Sequence, residues 1–132
     1  MIDKIIFTII IGAGLILGFT LWNNHAGEGL PEPNQFTPQS FDWQHNGKKG
    51  EYIVKLIQGE IEEKVEGTVL TDENCEQDEE GISRCNQKVM LRDNEEIEFI
   101  MPHNMAKHRC LAPGETVELI PYANDGYIKV VI

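Results

Sequence analysis

The residues of this chain best suited to chemistry lie in His103-Asn104-Met105-Ala106-Lys107-His108-Arg109-Cys110, where two imidazoles, a thioether and a thiol are close neighbours. These are soft or borderline donors of the kind copper and zinc take. The expected metal ligands are His103, His108 and Cys110, with Met105 as an additional soft ligand for copper(I). Their order differs from a blue-copper loop, and no CxxC or CxxCH marks a zinc ribbon, a redox pair or covalent haem. Alternatively the stretch is structural, with Met105 and Cys110 turned inward from a short barrel-plugging helix and both histidines exposed.

Two further cysteines, Cys75 and Cys85, bracket an acidic loop that contains Gly81. Outside the cytoplasm such a pair is expected to form a disulfide, and closing so short a loop stabilises by about 3 kcal/mol. The acidic residues from Glu60 to Glu80, with Lys64 among them, read as a solvated face and loop. Asp72, Asn74 and Glu76 imitate the start of an EF-hand, but Gln77 stands where its glycine is required and Ser83 where its bidentate glutamate belongs. Catalysis has no visible machinery. His108 is two residues from Cys110 with no third orienting group, and no Ser/His/Asp set or phosphate loop is present. A non-enzymatic role is therefore expected. His25 and His45 fall in the linker and read as solvated.

The elements that position these residues begin with Ile5 to Trp22, an uncharged run. A helix over it would be about 27 Å long, close to the bilayer's hydrocarbon thickness. The expectation is a transmembrane anchor at 5–22 with residues 1–4 in the cytoplasm. Lys4 precedes the run and Lys48 and Lys49 come well after it, which sends the remainder to the extracytoplasmic side. A cleaved signal peptide is the alternative, poorly served by Asn24-His25-Ala26 as a cleavage site. Residues 23–50 read as an extended linker, with Pro31, Pro33 and Pro38, several glycines, and Phe36, Phe41 and Trp43 to lie against the domain or a partner.

From residue 51 to 132 the pattern is β. Tyr52 to Ile57 is nearly all apolar, and Ile61, Val65 and Val69 share a strand face, with Gly67 as a bulge or bend. Val89 and Leu91 lead to a turn at Asp93-Asn94, and Ile97, Phe99 and Met101 alternate with Glu96 and Glu98. Asn104 is placed to cap a short helical turn. After Pro113-Gly114, Val117 and Leu119 alternate with polar residues, Asn124-Asp125-Gly126 turns the chain, and Ile128, Val130 and Ile132 close it. Five strands with a helical piece between the third and fourth, preceded by one extra strand, predict a transmembrane helix joined to an all-β, OB-like barrel of five to six strands and one short helix.

The stretches Glu66-Gly67-Thr68-Val69-Leu70, Lys88-Val89-Met90-Leu91, Met105-Ala106-Lys107-His108-Arg109 and Pro113-Gly114-Glu115-Thr116-Val117-Glu118-Leu119-Ile120-Pro121-Tyr122 resemble the bacterial translation initiation factor that consists of a single OB domain. The resemblance spans Glu66 to Val130 and implies the barrel. For function it implies RNA contact, which here would fall to Lys107 and Arg109. The formal net charge of -11 opposes that, since so acidic a surface repels phosphate backbones. The expected function is a membrane-anchored, extracytoplasmic, non-catalytic binding or assembly subunit of a membrane protein complex, with copper or zinc binding and delivery as one alternative and, if the domain is cytoplasmic, RNA binding by the OB domain as the other.

Overall fold

The computed structural model describes residues 29–132 and closes six antiparallel strands into a barrel. The strands are β1 (Glu51–Gln58), β2 (Val65–Gln77), β3 (Ser83–Leu91), β4 (Glu96–His103), β5 (Thr116–Ala123) and β6 (Tyr127–Val131). Around the barrel they run β1-β4-β3-β2-β5-β6 and back to β1. β1 is the extra strand expected ahead of the other five. Because it is antiparallel to both β4 and β6, it separates two strands that would otherwise meet in parallel. Its insertion makes every ladder antiparallel and leaves no edge.

Period-2 alternation fills the interior. Ser83, Cys85, Gln87, Val89 and Leu91 of β3, and Ile97, Phe99, Met101 and His103 of β4, are all buried while the strand residues between them are not. One end of the barrel is therefore apolar, around Val89, Leu91 and Ile97. The other end carries Cys85, Gln87 and His103. Gly67 is not the bend that its type suggests. It pairs regularly with Leu91 and Val117, and a Cβ there would come within 2.4 Å of Val89 Cγ1, so glycine is what lets β2 close on β3.

The sequence-based fold class is corrected on its helical parts. Among the described residues there is no α-helix, and none of their helices is long and apolar enough to cross a membrane. The span expected at 5–22 lies outside the described residues, as do residues 1–4 and 23–28. The short helix expected after β4 is one hydrogen-bonded turn: Lys107 and His108 N–H both donate to the Asn104 carbonyl, while Asn104 Oδ1 accepts from Ala106 N–H. A single turn fixes several dihedrals for very few bonds and does not propagate. The acidic segment is also no open loop. β2 runs on through Gln77, and the reversal is confined to a tight turn in which Gly81 N–H donates to the Asp78 carbonyl and Asp78 Oδ1 accepts from Glu80 and Ile82.

Residues 29–50 lie on the barrel as three 3-10 turns, Pro33–Gln35, Trp43–His45 and Lys48–Gly50. Phe36 is buried and packs edge-to-face on Phe41, Trp43, Tyr122 and Tyr127. Tyr122 O–H donates to the Pro31 carbonyl. Burial, and then the charges of Glu32 and Glu51, push its phenol up to about 12. The folded state thus holds this proton above the ordinary tyrosine value, so its contribution is complete below pH ~10 and fades as pH rises from ~10 through ~12. In an absorbance titration, Tyr122→Phe is expected to remove the ionisation near pH 12 and to lower stability at neutral pH by about 1 kcal/mol. An unchanged titration curve would show that another phenol carries it.

Candidate metal centre at the polar end of the barrel

On a regular strand, residues three apart face opposite sides. β2 breaks this rule twice. Its register against β3 slips by one residue between Val69 and Thr71, and again between Glu73 and Glu76, where Asn74 takes a left-handed φ of 58°. Each bulge reverses the phase, so Val69, Asp72 and Cys75 all reach the same side as Val89, Gln87 and Cys85. Cys75 and Cys85 are joined in a disulfide, as expected. Asp72 Oδ1 accepts from Gln87 Nε2 at 2.9 Å and lies 3.8 Å from Cys75 Sγ.

The free thiol of Cys110 enters from the β4–β5 connection. The Cys110, Cys75 and Cys85 sulfurs and an Asp72 oxygen all lie within 4.8 Å of one another. His103, at the end of β4, touches this cluster through Cys110: Nε2 and Sγ are 3.4 Å apart. The opposite ring nitrogen, Nδ1, is 3.2 Å from the Met101 carbonyl. A carbonyl only accepts, so Nδ1 carries the hydrogen and the Nε2 lone pair faces the thiol. A metal-binding imidazole is oriented in the same way. The Tyr52 ring packs edge-on against His103 at 5.9 Å, and the Tyr52 O–H donates to the Arg109 carbonyl at 2.6 Å.

Burial lowers the His103 pKa, and a fully buried imidazole is thereby kept neutral. Burial also dominates at Cys110, with the Asp72 charge and hydrogen bond acting in the same sense and Arg109 opposing; the thiol is pushed up to about 11. It is thus protonated at neutral pH, the reverse of a catalytic thiolate. The connection is pinned by Glu115, which takes a bidentate pair of bonds from Arg109 and one from Ala112 N–H. Arg109 holds the Glu115 carboxyl below its usual range.

Of the residues expected as ligands, His103 and Cys110 are brought together. Met105 is 47% exposed. His108 packs on Gly47, where a Cβ would come within 2.6 Å of the His108 Cβ, and its pKa is lowered by partial burial and by Lys107 and His45. Asp72 and the disulfide sulfurs complete the cluster without any recognisable motif. Their convergence depends on the two bulges, which odd spacing on a strand does not announce; Asn74, a residue tolerant of left-handed backbone beside Cys75, is the one local sign. Of the residues proposed for polyanion contact, Lys107 lies on the exposed turn and the Arg109 guanidinium is engaged by Glu115.

Comparison with known proteins finds no matching family model, no similar curated protein and no similar solved structure.

Proposed function

We propose that this chain is a non-catalytic barrel module of an oxidising, extracytoplasmic compartment that binds a soft metal ion, copper(I) or zinc, at the polar end of the barrel. The observation that carries this is the buried His103 Nε2 aimed at Cys110 Sγ at 3.4 Å, with that thiol in turn within 4.8 Å of an Asp72 oxygen. Thiolate, neutral imidazole and carboxylate form a mixed donor set that suits these ions. The Cys75–Cys85 bridge supports the compartment, since structural disulfides persist where thiols are not kept reduced. Competition titration of the full chain with copper(I) and zinc is the test. Stoichiometric binding lost on both Cys110→Ser and His103→Gln is expected. Binding that survives both variants, or none in the parent, overturns the proposal.

A second function, as an assembly subunit of a membrane protein complex, is favoured by the half-buried Phe41 and Trp43 that residues 29–50 spread over one side of the barrel. Such aromatics anchor protein partners. Native purification should then recover a partner chain that Trp43→Ala releases, and a lone monomer in both cases speaks against it.

A further inference from the structure

We infer that the Cys75–Cys85 disulfide is the locked state of a larger metal site, and that reduction opens it, so that Cys75, Cys85, Cys110 and His103 bind one zinc ion. This rests on the soft-metal proposal above and adds its regulation. Metal and disulfide then compete for the same sulfurs.

Three cysteines and one histidine are a common structural zinc set. Here the three sulfurs already lie within 4.8 Å of one another, with His103 in contact with one of them. In a tetrahedral site with Zn–S bonds of about 2.3 Å the sulfurs stand about 3.8 Å apart. The bonded pair must therefore separate by less than about 2 Å, while Cys110, within 4.8 Å of both sulfurs, has at most about 1 Å to close. Cys75 sits in the second β2 bulge, outside the regular ladder, which is where a strand can give without losing paired hydrogen bonds.

Gln87 is wholly buried at this end; its Nε2 holds Asp72, yet its Oε1 has no hydrogen-bond partner among the described residues. A buried acceptor left without a donor belongs to a polar site that the side chains alone do not complete.

The chemistry balances with a thiol as reductant. Two RSH and the Cys75–Cys85 disulfide give two cysteine thiols and RSSR, a two-electron exchange. Zinc then displaces three thiol protons and takes the Nε2 lone pair of His103, whose Nδ1–H stays with the Met101 carbonyl.

The test uses the full chain, oxidised or reduced with a phosphine, under anaerobic titration with cobalt(II) and then zinc. In the reduced form, tetrahedral cobalt bands with charge-transfer intensity of three thiolates are expected. Zinc should displace the cobalt, protect three thiols from alkylation, and bind on the order of 100-fold or more tighter than to the oxidised form. Cys110→Ser keeps the disulfide and should leave two thiolates in the reduced form. If reduction loosens the fold, zinc should restore the native circular dichroism, and failure to restore it overturns the inference. Equal affinity and a single thiolate in both redox states overturn it too, while leaving the soft-metal proposal intact. A three-thiolate site in the reduced chain with no binding in the oxidised one upholds it and overturns the resting site. No binding in either state overturns both.

Discussion

Asn46→Ala is expected to lower the unfolding free energy by about 3 to 5 kcal/mol, because two buried backbone groups and a part-buried one lose their partner at once. Asn46 is fully buried. Its Oδ1 accepts from Ile53 N–H at 2.6 Å, and its Nδ2 donates to the Ile53 carbonyl at 2.8 Å and to the Pro102 carbonyl at 2.7 Å. The β1–β4 register, Lys55 opposite Ile100, would set Ile53 against Pro102. Proline has no N–H to offer the Ile53 carbonyl. The Asn46 amide therefore stands in for the missing peptide and ties residues 29–50 to the closing strand. Against a total stability of about 5 to 15 kcal/mol the loss is large, and a fall in Tm of more than about 10 °C is expected in calorimetry. Asn46→Asp should be nearly as damaging at neutral pH, since a carboxylate would face two carbonyls, and less so in acid, where one oxygen regains a hydrogen. In the Asn46→Ala background, Pro102→Ala should recover part of the loss by returning an N–H to the ladder. A shift of under about 1 kcal/mol in Asn46→Ala would place the amide at the surface of the energetics rather than its centre.

Loss of the disulfide is the second large effect. The bridge closes a loop with a sequence separation of ten, so reduction or the paired Cys75→Ala, Cys85→Ala change should remove about 3 kcal/mol by loop entropy. Cys85 is wholly buried, and its truncation to alanine adds a small cavity to that sum. Denaturant unfolding of the oxidised and reduced chain measures the difference. A difference near zero would mean that the β2–β3 hairpin already restrains the unfolded loop. Recovery by zinc separates the two forms of loss, because the alanine pair keeps only the Cys110 thiol while the reduced chain has three.

The strands were legible where alternation is strict. Ile97, Phe99 and Met101 mark β4 inward, Val117 and Leu119 mark β5, and all are buried. The disulfide was legible from cysteine chemistry, and the pairing of His103 with Cys110 from their nearness in the chain. What escaped shares one cause, a local pattern overruled by a distant contact. β2 keeps pairing through the acids between Asp72 and Gln77 because β3 gives their backbone partners, while two bulges make its inward period three instead of two. Asn46 reads as a linker polar residue, yet a proline in β4 creates the need it meets. The helix expected near Asn104 had its cap but not its length.

A soft metal ion at the polar end of this barrel should be held by sulfur and imidazole together. X-ray absorption spectroscopy of the full chain loaded with one equivalent of zinc or copper(I) tests it most directly. A sulfur shell near 2.3 Å together with imidazole scattering near 2.0 Å is expected, both lost in Cys110→Ser and in His103→Gln, which no longer hold the ion. A spectrum of oxygen ligands alone, unaltered by either substitution, would contradict it.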